Sequence, residues 1–238
     1  MLENENSILG IFQLPNVELL KPSPNSLPLT IICDQVRDPG NMGSIIRIAA
    51  SVGCSQLILT KGCVDLWEPK VLRTAAGAHF RIPIYKSKTW EEISTILPEN
   101  YSLYLADSDS PQELDFENEE SLQTKERGIA FKKKFMLSDN VPLASYYSQR
   151  YWFKESVVLV IGGETAGLSL NAYELAIEKQ GKRVYVPLCN GIESLNSSIA
   201  LSVLSYEMRR QFDSPSEKDI KVENSNSEAY KAVGLYSE

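Results

Sequence analysis

A chain of 238 residues is long enough for one sizeable hydrophobic core, and 43% hydrophobic with 23% charged residues is the balance of a globular protein rather than a disordered or disulfide-stapled one. No apolar run approaches the roughly 20 residues that span a bilayer, and the acidic opening MLENENSILG carries neither a signal nor a transit pattern. A formal net charge of −7 argues, taken alone, against a nucleic-acid partner.

The charge is unevenly spread. Five acids fall between Glu113 and Glu120, and the stretch from Asp213 onward is also acidic. Between Arg37 and Arg81, by contrast, Arg37, Arg47, Lys61, Lys70, Arg73 and Arg81 face only Asp38, Asp65 and Glu68. Total charge therefore says little about this part of the chain. Cys33, Cys54, Cys63 and Cys189 show neither paired metal-ligand spacing nor scaffold density, so no metal is expected, and Cys33 reads as a buried thiol. His79 is the only histidine, which excludes any mechanism needing two.

In chain order, residues 1–27 read as a polar arm with one apolar patch, Ile8 to Phe12, and Pro22, Pro24 and Pro28 as an extended lead-in. Leu29 to Cys33 is a short, wholly apolar strand, the pattern of a strand covered on both faces. Asp38-Pro39-Gly40-Asn41 is turn chemistry, with a helix from Met42 whose apolar face is Ile45, Ile48, Ala49 and Val52; Asn41 reads as its cap. Strands follow at Leu57–Thr60, Arg81–Tyr85 and Ser102–Ala106, with helices at Glu68–Ala76 and Thr89–Leu97 between them. The alternation predicts an α/β fold with a mostly parallel sheet flanked by helices. It breaks at about 107–155, where the acidic run, Lys132-Lys133-Lys134 and the aromatics Tyr146, Tyr147, Tyr151 and Trp152 read as a flexible insertion. Val157–Ile161 is the most apolar strand, Asn171–Glu178 is helical, and Val184–Val186 is a last strand stopped by Pro187. Ser194-Leu195-Asn196 opens a final helix, and 213–238 reads as a disordered tail.

Ligands of open α/β sheets sit beyond the carboxyl ends of the strands. Three polar, glycine-bearing junctions occupy such places: the Asn41/Arg47 unit, the Gly162–Ser169 loop and the Pro187–Asn196 loop. Leu168 stands where a P-loop needs lysine, and neither Gly-x-Gly-x-x-Gly nor Gly-x-Ser-x-Gly occurs, which argues against a triphosphatase, a dinucleotide enzyme or a hydrolase elbow. Glu164, directly after two glycines, is placed to accept from a ligand or to hold Arg47.

In order and spacing the three junctions resemble the motifs of the SpoU, or TrmH-like, branch of SPOUT RNA 2′-O-ribose methyltransferases. The first motif is matched by Asn41, Gly43, Arg47, Ala49 and Gly53, the second by Gly162, Glu164 and Gly167, and the third by Pro187, Gly191, Ser194, Leu195, Asn196 and Ala200, running into Tyr206-Glu207. ICDQVRDPGN, LTKGCVDLWEPKVLR and GAHFRIPI are similar in wording to the mitochondrial ribosomal-RNA guanosine 2′-O-methyltransferases of this family. The resemblance implies a SPOUT domain over 28–212 with a C-terminal trefoil knot, and a homodimer acting on ribosomal RNA of the large subunit in mitochondria, with no membrane partner. It implies S-adenosyl-L-methionine as cofactor, S-adenosyl-L-homocysteine as product, and an N-terminal RNA-recognition domain of which residues 1–27 keep only the end. Carried over, Gly162, Gly163, Val186, Leu188 and Leu195 would hold the cofactor; Arg47 would be catalytic, with Asn41, Glu164, Ser194 and Asn196 orienting it and the ribose. The alternative is a catalytically silent RNA- or ribosome-binding module that keeps the fold, which intact Asn41, Arg47, Glu164 and Asn196 argue against.

Overall fold

The computed structural model describes residues 11, 13–108, 132–151, 156–164 and 167–214. The patch at 8–12 apart from Ile11, the acidic run Glu113–Glu120, Trp152, Thr165–Ala166 and the stretch beyond 214 lie outside the described residues. Among the described residues seven strands form one sheet: β1 (Leu27–Asp34), β2 (Cys54–Thr60), β3 (Ile84–Lys88), β4 (Tyr101–Ala106), β5 (Leu143–Ser145), β6 (Ser156–Gly162) and β7 (Lys182–Tyr185). Their order is β3-β2-β1-β6-β4-β7-β5, and every pairing is parallel.

The central strands are apolar on both faces because helices cover both. Leu29, Ile31 and Cys33 of β1 and Val157, Leu159 and Ile161 of β6 face one cluster with Met42, Ile45, Leu201 and Leu204. The intervening Ile32, Val158 and Val160 face a second cluster with Ile93, Ala172 and Tyr173. This period of two assigns α1 (Pro39–Val52), α2 (Pro69–Ala75) and α6 (Ser197–Asp213) to one layer. It assigns α3 (Trp90–Ile96) and α5 (Leu170–Glu178) to the other.

Several local expectations are corrected. Helix α1 begins at Pro39, and its cap is Asp38, whose carboxylate accepts from Asn41 N at 2.7 Å; Asn41 lies inside the first turn, with its side chain released for other use. Strand β3 starts at Ile84 rather than Arg81, because Ala78–Phe80 coil into a 3-10 turn and Pro83 takes part in the sheet only through its carbonyl, which accepts from Leu57 N at 2.9 Å. Strand β7 begins two residues earlier than Val184: its polar positions are tolerated because Lys182 Nζ reaches Gln149 Oε1 (3.2 Å) and Arg183 Nε donates to Val141 O (3.0 Å). The final helix starts at Ser197, capped by Asn196, which leaves Ser194 and Leu195 in the preceding loop.

The segment read as a flexible insertion contributes real architecture. Residues 132–139 form a helix, α4, and β5 adds a seventh strand on the outer edge of β7. Lys133 of α4 pairs with Glu174 of α5 at 2.9 Å. His79 is a core residue, 3% exposed, with Nε2 at 2.9 Å from Leu66 O and its ring stacked on Trp67 at 5.2 Å.

Candidate active site

The carboxyl ends of β1, β6, β4 and β7 lie side by side, and the chain leaves them through tight backbone turns. Asp34 of β1 is in register with Gly162 of β6, and Gly163 N donates to Asp34 O at 3.1 Å. The loop then folds onto itself, Gly167 N donating to Gly163 O at 2.8 Å. A Cβ at Gly162 would collide with the backbone of Gly167, and one at Gly163 would lie 2.6 Å from Gln35 O. Both positions therefore need glycine for close backbone approach, not for an unusual φ.

Asn196, at the end of the Pro187–Asn196 loop, joins the three junctions. Its Nδ2 donates to Asn41 Oδ1 at 2.8 Å and to Glu164 Oε1, while its Oδ1 accepts from Ser198 N (3.0 Å) and Ser198 Oγ (2.7 Å). The carboxylate can only accept and Ser198 N can only donate, so the amide orientation is fixed by its partners. Residues 155 and 32 positions away in sequence are thus tied to one side chain. Glu164 holds Asn196 and not Arg47.

Beside this triad opens a cavity of about 850 Å³, a size suited to a small-molecule cofactor. Gly162, Gly163, Val186, Leu188 and Leu195 all line it, together with Ser194, Glu164 and Asn196. Asn41 and Arg47 do not. Arg47 is exposed on α1, one turn beyond Gly43 and about 120° round the helix from Asn41, and it has no hydrogen-bond or ion-pair partner among the described residues. The site therefore assembles Asn41, Glu164 and Asn196 with the cavity loops and leaves Arg47 apart, facing outward.

Two acidic positions escaped the sequence reading. Asp34 is fully buried; its Oδ2 accepts from Ser169 N at 2.6 Å, its Oδ1 has no partner among the described residues, and burial raises its pKa above the ordinary carboxylate value. Asp107 lies on the cavity wall, where its Oδ2 accepts from Tyr173 OH (2.8 Å) and faces Arg183 at 3.6 Å. Lys134 of α4 completes this wall, its pKa lowered by burial against the opposing pull of Asp107 and Asp34. The available signal was their place: each aspartate is the first charged residue after an apolar strand, in ICD and LAD. Among the described residues no group of His, Cys, Asp and Glu is placed to hold a metal ion, and no helix is long and apolar enough to cross a membrane.

The rRNA methyltransferase 3, mitochondrial, of Xenopus laevis is 38% identical over 237 residues, which cover 89% of this chain and 56% of that protein. The Homo sapiens protein of the same name is 40% identical over 232 residues, covering 88% and 54%. The chain spans about half the length of the curated relatives it matches. Among solved structures, an AdoMet-bound rRNA methyltransferase from Sinorhizobium meliloti superposes with a TM-score of 0.58 at 25% identity, over 85% of this chain and 62% of that one. The TrmH/SpoU tRNA-modifying enzyme of A. aeolicus superposes with a TM-score of 0.55 at 20% identity, over 91% and 94%, a likeness of fold. The SpoU rRNA Methylase family model matches residues 28–206, which span all three junctions, and the chain belongs to that family.

Proposed function

We propose that the chain is the catalytic part of an S-adenosyl-L-methionine-dependent 2′-O-ribose methyltransferase acting on a guanosine of mitochondrial large-subunit rRNA. The observation that carries this reading is the Asn41–Asn196–Glu164 linkage, whose Glu164 and Asn196 line the cavity. It brings the three junctions to one point where a ribose and a cofactor would meet.

The cavity suits an adenosyl cofactor in its chemistry. Gly162 and Gly163 present backbone without side-chain obstruction, and Val186, Leu188 and Leu195 supply apolar wall. Bound there, S-adenosyl-L-methionine supplies an electrophilic sulfonium methyl group. The triad orients the ribose: Glu164 and Asn41 hold the Asn196 amide, and Ser194, exposed on the same wall, offers a hydroxyl. A guanidinium offers donors and no acceptor, so the role of Arg47 is to clamp an adjacent RNA phosphate and polarise the 2′-hydroxyl rather than to act as a base. Its outward position suits a phosphate, which stands away from the reacting oxygen, better than the hydroxyl proton itself.

The family resemblance also implies a C-terminal trefoil knot and a homodimer. The half-exposed Ile199 and Tyr206 of α6 support the dimer; Tyr206 OH meets Ser51 Oγ, one turn beyond Arg47 on α1, at 3.1 Å. Transfer of labelled methyl to a large-subunit rRNA transcript, followed by nucleoside digestion, tests the activity. The wild type should yield 2′-O-methylguanosine. Arg47→Ala should lose about 10²-fold or more in turnover with cofactor affinity unchanged; equal loss of both would remove Arg47 from the clamp role.

A further inference from the structure

The outer face of α2 and the turn after it is basic, aromatic and unused by the site described above. Lys70, Arg73 and Arg81 are exposed there, and among the described residues neither Arg73 nor Arg81 has a hydrogen-bond or ion-pair partner. Lys70 reaches only Asp38, at 3.9 Å, with both side chains about half exposed. The other acids of this stretch are Asp65 and Glu68; Asp65 Oδ1 accepts from Trp67 N at 3.4 Å. Phe80 is 56% exposed, and its inner edge rests on Trp67 (6.2 Å) and His79 (6.5 Å). Those two rings are themselves stacked, so the outer ring stands on a rigid base.

The backbone that presents it is strained. Ala76 (φ 49) and Gly77 (φ 80) are consecutive left-handed residues, and Ala76 lacks the freedom of glycine. They reverse the chain from α2 into the 3-10 turn and set Phe80 outward. The surface is locked to the helix of Arg47, because α1 and α2 cross at Gly43, where a Cβ would lie 2.8 Å from Val71 O.

We propose that single-stranded RNA flanking the methylated nucleotide lies across α2 and the Ala78–Phe80 turn, with phosphates on Arg73 and Arg81 and a base stacked on Phe80. This rests on the RNA methyltransferase reading and adds to it a binding surface separate from the cofactor cavity. Cations without acidic partners beside one rigid aromatic ring suit a strand of phosphates and bases; an apolar protein partner would want a groove. The chain as a whole is acidic at −7, so this basic island is local.

The test is a fluorescence anisotropy titration of the full chain with a labelled single-stranded rRNA oligonucleotide over a salt series, beside calorimetric titration with S-adenosyl-L-methionine. Arg73→Glu/Arg81→Glu should weaken RNA binding about tenfold or more and reduce the slope of log K against log salt by about 1.4, or about 0.7 for each phosphate no longer neutralised. Phe80→Ala should weaken it about tenfold with the slope unchanged, and Phe80→Trp should restore it. Cofactor affinity should be the same in all variants, which also establishes that they fold. Unchanged RNA affinity and slope in the double variant would overturn the proposal. So would a wild type without RNA affinity, or a fall in particle mass by light scattering that marks the surface as an interface between protein copies. Absence of cofactor binding in the wild type would instead sink the methyltransferase reading, while the RNA titration still reads the surface.

Discussion

Asn196 uses both ends of its amide, the oxygen to cap α6 through Ser198 and the nitrogen to hold Asn41 and Glu164. The two uses are separable by substitution. Asn196→Asp keeps the cap acceptor but sets a carboxylate against Glu164, so the cap contribution of about 1 kcal/mol should persist while methyl transfer falls by about 10²-fold. Asn196→Ala should lose both, as read by thermal melting and turnover. His79 gives a pH signature of its own. Burial pushes its pKa below the ordinary 6.5, so its folded state favours the neutral ring. Its contribution to stability is therefore complete above the unfolded value and lost as pH falls from there through the lower folded value. Melting temperature measured from pH 7 down to about 5 should fall more steeply for the wild type than for His79→Gln, which keeps a donor for Leu66 O; parallel slopes would remove His79 as the cause.

Elements with strong patterns were legible before the structure. The apolar runs around Ile31 and Leu159 needed cover on both faces, which already demanded a parallel α/β sheet. What stayed hidden was set by neighbours distant in sequence. Strand β5 is three residues long and none is buried, so it exists only because β7 offers an edge. The start of β3 depends on a 3-10 turn whose cause is the packing of His79 on Trp67. The site was legible as three junctions, because polar punctuation after apolar strands is local. The outward placement of Arg47 was legible too, from its position well round the helix from Ile45, Ile48, Ala49 and Val52; the meeting at Asn196, the buried Asp34 and the partly buried Asp107 were not, since each depends on the sheet order. The α1–α2 crossing is the most testable of these long-range features. Gly43→Ala would place a Cβ 2.6 Å from Thr74 Cβ and 2.8 Å from Val71 O. It should cost about 1–3 kcal/mol through overpacking, against the gain that alanine brings to a free helix, and should lower the unfolding midpoint in urea. A stabilised variant would contradict the close crossing.

At the scale of the whole molecule, one sheet supports both the cavity and a layer of helices that carries exposed positive charge. The cavity opens where β6, β4 and β7 end, and its walls come from the two glycine-bearing loops, from α4 and from Ser197, Ala200 and Leu204 of α6. The helical layer of α1, α2 and α6 bears Arg47, the basic α2 surface and the half-exposed Ile199 and Tyr206. On the proposed reading, the basic α2 surface stands apart from the cavity lining, which would let a chain that is acidic as a whole hold RNA there. Calorimetric titration of the purified chain with S-adenosyl-L-methionine and S-adenosyl-L-homocysteine, against ATP and NAD as controls, tests the account most directly. Saturable binding of the two adenosyl ligands alone, abolished in Gly163→Val where a side chain would enter the Gln35 backbone, is the predicted result. Binding of ATP or NAD in their place, or adenosyl binding untouched by that substitution, would contradict it.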